Sequence, residues 1–235
     1  MKIPRLLSLL ILTSLTTVAL HAADAPNTLT DAEKAAGWKL LFDGKTSAGW
    51  VALGKTEFPG GWVAEDGVLK RAEKGGDIVT TEAYTDFELT WDWNVSKVGN
   101  SGLKYNLPDP KKNVGFEYQL IDDLNHPDGV KGGRLHQTGG LYDLIEPPAD
   151  KKVNPPGEWN SSRLLVKGNH VEHWLNGAKT VEFEIGSDDM KERIAKSKYA
   201  KVAKFGEKTA SPILLQDHGD VISFRSIKLH VLAGK

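Results

Sequence analysis

The chain has 235 residues, 40% hydrophobic and 26% charged, a globular balance that excludes disordered and fibrous classes and is long enough to bury a sizeable core. Its 30 Lys and Arg against 31 Asp and Glu leave no strong field, which excludes a nucleic-acid binder built on clustered positive charge. Without cysteine it has no disulfide, no thiolate nucleophile, no Cys-ligated metal and no N-terminal Cys for a lipid anchor.

Residues 1–22 read as a secretory signal peptide. Lys2 and Arg5 precede an apolar run from Leu6 to Leu20, and Ala22 and Ala23 supply small residues for cleavage. At roughly 15 residues the run is short of the ~20 that a spanning helix needs. Residues 23–235 are therefore expected to form a single domain in the periplasm or outside the cell, with no membrane contact after cleavage. Nothing in the chain specifies an oligomeric state.

In the mature part, Thr30-Asp-Ala-Glu33 is a capping-box pattern that predicts one short helix before Gly37. Beyond it, turn formers such as Asp43-Gly44, Asp66-Gly67 and Gly75-Gly76 separate short runs rich in Val, Ile, Thr, Tyr and Trp. Strands are predicted at Trp62–Ala64, Val68–Arg71, Asp77–Thr80, Phe87–Val95, Gly102–Leu107, Gly115–Ile121, Ser162–Lys167, His170–Leu175, Ala178–Glu184, Pro212–Gln216 and Val221–Val231. Lys167-Gly-Asn-His170 and Leu175-Asn-Gly-Ala178 predict tight hairpins. Ser187–Lys204, acidic at its start and lysine-rich after, predicts a solvated surface helix. Many short antiparallel strands with one surface helix make an all-β sandwich or barrel the expected class.

Side chains alternate along a strand, so each strand sorts into two faces. Leu89, Trp91, Trp93 and Val95 share one face, with Glu88, Thr90, Asp92 and Asn94 on the other. Lys104 and Asn106 oppose Leu103, Tyr105 and Leu107. Glu117 and Gln119 oppose Phe116, Tyr118 and Leu120, and Gln216 and His218 share a face with Leu214. A polar sheet face carrying Glu, Gln, His, Lys and Asp suits the gripping of hydroxyl groups.

A series of motifs then stands in a recognisable order: Leu41-Phe-Asp-Gly-Lys45 with Gly49-Trp50; Trp62 through Asp66-Gly67; Thr80-Thr81 with Tyr84-Thr-Asp-Phe87-Glu88; Gly99-Asn-Ser-Gly102. It continues with Gly115-Phe-Glu-Tyr-Gln119 and Asp122; Gly139-Gly-Leu-Tyr-Asp143; Gly157-Glu-Trp-Asn160; His173-Trp-Leu-Asn-Gly177; and Pro212-Ile-Leu-Leu-Gln-Asp-His-Gly219 with Phe224-Arg225. From about Gly37 to Leu232 the chain resembles the 3-keto-disaccharide hydrolase domain family. One departure is Ser226, where that family usually carries Asn, a change that concerns a local turn. The resemblance implies a concanavalin-like jelly roll of two antiparallel sheets, acting on a carbohydrate whose ring is oxidised to a ketone at carbon 3.

Such a ketone acidifies the hydrogen on carbon 2, and cleavage by elimination and hydration needs a base, an enolate stabiliser and a leaving-group acid. His218 is the candidate base, since histidine is the side-chain type that exchanges protons most readily near neutral pH. Glu117 is the alternative base or the acid, and Lys104 the enolate stabiliser. Gln119, Gln216 and Asp92 are expected to bind sugar hydroxyls, and Tyr142, Trp159 and Trp62 to stack on the ring. The polar loop Asp122-Asp-Leu-Asn-His126-Pro-Asp-Gly129 could hold one divalent metal ion through Asp122 and His126. Two other readings share this composition: a non-catalytic carbohydrate-binding module and a conventional endoglycanase. The latter would need a second carboxylate where Gln119 stands.

Overall fold

The computed structural model describes residues 25–233, so the expected signal peptide lies outside the described residues. Helix α1 (Asp31–Ala35) opens with the expected capping box: Thr30 Oγ1 accepts the Glu33 N–H and the Glu33 carboxylate accepts the Thr30 N–H. Eight strands follow: β1 (Trp38–Leu40), β2 (Trp50–Ala52), β3 (Trp62–Glu65), β4 (Val68–Arg71), β5 (Ile78–Thr80), β6 (Phe87–Val95), β7 (Asn100–Tyr105) and β8 (Phe116–Ile121). Helix α2 (Pro127–Lys131) and a 3-10 turn at Gly133–His136 come next, then β9 (Asn160–Lys167), β10 (His170–Leu175), β11 (Ala178–Glu184), helix α3 (Asp188–Lys196), β12 (Leu214–Leu215) and β13 (Ile222–Val231).

The strands form two sheets. One runs β11-β10-β9-β6-β13-β4-β3, with β1 also paired to β13; the other runs β2-β5-β12-β7-β8. Every ladder is antiparallel, and the architecture is the two-sheet, jelly-roll-type sandwich that the turn spacing and the family resemblance predict. Both hairpins appear: β9 pairs β10 and β10 pairs β11. Asn176 and Gly177 both take positive φ, at 47° and 83°, the pair that a two-residue type I′ turn requires.

The core is the meeting of the two inward faces. Leu89, Trp91, Trp93 and Val95 of β6 are buried, while the residues between them are half-buried. Across the sandwich stand Leu103 and Tyr105 of β7 and Phe116, Tyr118 and Leu120 of β8. Trp91 meets Tyr118 edge-on at 5.0 Å between ring centroids. Two of these aromatics place their polar atoms in hydrogen bonds: Trp93 Nε1 donates to Ser162 Oγ at 2.9 Å, and Tyr118 OH donates to Trp174 O at 3.0 Å, while Trp91 Nε1 is buried without a partner. His173 lies wholly within the core against Tyr105 OH, and burial drives its imidazole down to about 3, so it is neutral and structural.

Three local outcomes differ from the sequence reading. The three-residue strands β1 and β2 are too short to show a period. Helix α3 stops at Lys196 rather than Lys204, because Ser197 Oγ donates to Ile194 O and accepts the Tyr199 N–H, competing with the next helical turn. It is also docked rather than solvated: Met190 is buried and Ile194 packs against the core. At Ser226 the register of β13 slips between Arg225 and Lys228, with φ at +51°. Asn27 supports this bulge from outside, its Oδ1 accepting the Ser226 N–H at 2.8 Å while Ser226 Oγ accepts the Asn27 N–H. The amide that this position lacks in β13 is thus supplied from the N-terminal segment.

Candidate active site

Three neighbouring strands set the stage. Lys104 of β7 stands opposite Glu117 of β8 and Leu214 of β12, and Gly102 opposite Gln119. Since Leu103, Tyr105, Phe116, Tyr118 and Leu215 take the inward direction, Lys104, Glu117 and Gln119 point away from the eight-stranded sheet. The chain runs on from β12 with Gln216 N donating to Gly102 O, which keeps Gln216 beside the same face. There Lys104, Glu117, Gln119, Gln216, His218 and Tyr142 line one small cleft of about 80 Å³, joined by Asn100, Asp128 and Lys198.

The floor of the cleft is an ion pair. Lys104 Nζ lies 3.2 Å from Glu117 Oε2, with both side chains under a tenth exposed, and it donates weakly to Asn113 O. Gly102 makes room for it: a Cβ there would sit 2.4 Å from Glu117 Oε1. On one wall Gln119 Nε2 donates to Asn100 Oδ1 at 3.1 Å. Its Oε1 is buried without a partner, and so is Gln216 Oε1. A buried carbonyl oxygen without a donor costs free energy, so two of them beside one cleft are acceptors prepared for a ligand's hydroxyls.

The opposite wall is a network around Asp128. Tyr142 OH donates to its Oδ2 and His136 Nδ1 bonds its Oδ1, both at 2.8 Å, and the His136 and Tyr142 rings lie 4.3 Å apart. Burial pushes the Asp128 carboxyl up, but the His136 and Tyr142 hydrogen bonds outweigh it and hold the group below its ordinary value. Burial and Asp128 together hold the Tyr142 phenol well above its own, so it remains a donor.

His218 is exposed at the mouth and is held from behind. Asp217 turns away from the cleft and accepts Arg71 Nε at 2.7 Å and the backbone N–H groups of Gly75, Gly76 and Gly219. Burial raises this carboxyl, yet the three N–H donors and the Arg71 charge leave it below the ordinary aspartate range. A carboxyl depressed on folding adds stability above its unfolded pKa near 3.9, and that stability is lost as pH falls through the folded value. Acid titration followed by tryptophan fluorescence should therefore show the 216–219 loop loosening below about pH 4. Asp217→Asn should weaken that dependence.

Asp122 and His126, the expected metal pair, each accept hydrogen bonds from backbone N–H groups. Asp122 spends both carboxylate oxygens on backbone and side-chain donors of its own loop and of the β6–β7 turn, accepting from Leu124 N, Asn125 Nδ2 and Val98 N, a use that the alternation of β8 does not reveal. His126 instead meets His218 and Asp220, with ligand atoms within 4.8 Å of one another. His126 caps α2 by accepting the Asp128 N–H on Nδ1 at 3.1 Å, which assigns the ring proton to Nε2, facing Asp220.

Three expected binding residues lie elsewhere. Asp92 is on β6 in the eight-stranded sheet, paired with Arg225 Nε at 3.2 Å. Its polar face is a real face, but of the other sheet, which no single-strand pattern can tell. Trp62 is core, 2% exposed and stacked on Phe224. Trp159 lies beneath the Arg225 guanidinium at 4.0 Å. Asp92→Ala should thus leave turnover within about twofold of wild type and cost under about 1 kcal/mol, the scale of a partly exposed ion pair, in a kinetic assay and urea titration.

Asn100, Asp128 and Lys198 were not singled out as site residues by sequence. Asn100 reads as a turn residue, Asp128 as part of the polar loop, and Lys198 as one lysine of many in the expected helix. A larger cavity of about 440 Å³ lies between Trp93, Ile121, Leu124 and Pro155, yet its polar groups are satisfied among themselves, as in Lys151 with Asp123 and Gln137. The orphan acceptors mark the smaller cleft as the better candidate.

Comparison with known proteins shows the family of the chain. The profile of the 3-keto-alpha-glucoside-1,2-lyase-like domain family matches residues 37–230. A curated 3-keto-disaccharide hydrolase of Bacteroides thetaiotaomicron is 32% identical over 182 residues, covering 67% of this chain and 62% of its own length. This chain thus spans less than two thirds of that relative. A crystal structure from Parabacteroides distasonis, provisionally assigned as a glycosyl hydrolase, is 40% identical with a TM-score of 0.80, covering 89% of this chain and 100% of its own. A second from the same organism with the same provisional assignment is 31% identical with a TM-score of 0.68, covering 83% and 99%.

Proposed function

This chain belongs to the 3-keto-alpha-glucoside-1,2-lyase-like domain family, and from that membership we propose that it is a carbohydrate-cleaving enzyme acting on glycosides whose ring carries a ketone at carbon 3. The observation that carries the reading is the cleft itself. The unpartnered oxygens of Gln119 and Gln216, the Lys104–Glu117 pair and the His218 imidazole all line one small cleft.

In this reading Gln119 and Gln216 accept hydrogen bonds from ring hydroxyls and fix the sugar. His218 takes the proton from carbon 2, and the electron pair moves onto the ketone oxygen as an enolate. The enolate re-forms the carbonyl, a double bond forms between carbons 1 and 2, and the bond from carbon 1 to the glycosidic oxygen breaks. The departing oxygen takes its pair and a proton from the Lys104 end of the Lys104–Glu117 ion pair. Water then adds at carbon 1 and a proton returns to carbon 2, so the net reaction is hydrolysis. Glu117 holds Lys104 in place, a different part from the base that the sequence alone also allowed. A conventional glycosidase needs two free carboxylates about 5–9.5 Å apart across the bond, whereas here Glu117 is committed to Lys104 and Asp128 to His136 and Tyr142.

A divalent ion would, in our proposal, be held by Asp220 and by His126 once His126 gives up the Asp128 N–H to free Nε2, which leaves the His218 imidazole unbound for its part as base. Export through residues 1–22 to the periplasm or exterior completes the proposal.

The test is incubation with a 3-keto-glycoside and with its unoxidised parent, with and without chelator. Release of aglycone from the ketone alone is the expected result. Release from the parent points to the conventional route, and binding without release to a carbohydrate-binding module; either overturns the proposal. Loss of rate with chelator assigns the ion a role, and an unchanged rate leaves the chemistry to the side chains.

A further inference from the structure

We propose that Lys198 is a catalytic residue of this cleft, its ammonium meeting the ketone oxygen of the oxidised ring as that oxygen gains charge. The assignment rests on the elimination reading above and replaces Lys104, which the sequence suggests for the same part.

The two cleft lysines differ in what they already hold. Lys104 is committed to Glu117 at 3.2 Å on the floor. Lys198 makes no ion pair among the described residues, and its Nζ stands 4.0 Å above the centre of the Tyr142 ring. A cation already paired has little attraction to spare for an oxyanion, whereas one held by a ring face can turn to it without breaking an ion pair.

The backbone around Lys198 is built to hold this position. Ser197 ends α3 and Tyr199 N donates to its Oγ. Tyr199 is buried and stacked on Phe205 at 4.1 Å with the rings nearly parallel. Between them, the Lys198 N–H is gripped by Asp143 Oδ2 at 2.9 Å. The two neighbours are fixed, so the freedom that remains belongs to the Lys198 side chain. Lys198 is exposed, and its ammonium lies over the Tyr142 ring. Partial desolvation and the Lys104 charge lower the amine from the ordinary lysine value, while Glu117, Asp143 and Asp128 pull the other way. In the reaction, no proton need leave Lys198. It donates a hydrogen bond to the enolate oxygen as the carbon 2 proton departs, and releases it when the carbonyl re-forms.

The test compares Lys198→Met and Lys198→Arg on a 3-keto-glycoside, reading kcat, KM and exchange of the carbon 2 proton in deuterated water. Lys198→Met should lower kcat by about 10²–10³-fold, as loss of one oxyanion donor does, with exchange falling in parallel. Lys198→Arg keeps the charge and should recover most of that loss. An unchanged melting temperature for Lys198→Met separates this from a folding defect, as expected for an exposed residue. Turnover by Lys198→Met within about threefold of wild type overturns the assignment, as does a borohydride-trapped adduct on Lys198, which would make its role covalent. Wild type that ignores the ketone is a different failure, that of the cleavage reading itself.

Discussion

His218→Ala should cut kcat for 3-keto-glycoside cleavage by about 10²–10⁴-fold, the range for loss of a general base, while leaving the melting temperature unchanged. Both halves of that expectation come from its surroundings. The imidazole is exposed at the mouth of the cleft and its ring packs only edge-on to His126 at 5.8 Å. The loop that carries it is held by Asp217 instead, through Arg71 and three backbone N–H groups, so removing the imidazole leaves the support in place. Exchange of the carbon 2 proton into deuterated water is the decisive measurement. A variant that still exchanges at the wild-type rate would show that another group removes the proton.

Glu117→Ala should cost stability as well as turnover. Deleting one member of a buried ion pair strands the other, at about 3–5 kcal/mol. Here the stranded group is Lys104, whose only other hydrogen-bond partner among the described residues is Asn113 O at 3.4 Å. Urea titration should register the loss as a lower midpoint with an unchanged slope. The double replacement Lys104→Met with Glu117→Leu removes both charges and should regain most of the stability, yet remain inactive, since the proton for the departing oxygen has gone. Stability recovered together with activity would show that the pair is structural only.

Most strands were legible because one face of each is buried and the other is not. In β6 the alternation of buried and half-buried positions follows the sequence pattern residue by residue. The hairpins were legible because Asn-Gly tolerates positive φ at both turn positions. Grouping Glu117 with Gln119, and Gln216 with His218, needed only the two-residue period, and those groups do share a cleft. Where local chemistry competes with periodicity, the pattern misleads. Ser197 halts α3 eight residues before the expected end, and Asp122 turns its carboxylate into a loop fastener.

The order of polar and apolar residues along the chain, by itself, determined the two-sheet class, the hairpins, the inward aromatics and the family, because each depends on neighbours in sequence or on motifs in sequence. Which polar face meets which was decided only in three dimensions. Asp92 and Glu117 are equally polar and equally alternating, yet strand order puts them on different sheets. Asp128 and Lys198 reach the cleft from segments far apart in the chain, and their approach depends on where a helix stops and on which aromatic is pulled into the core. Those are contacts across the fold, and no local period encodes them.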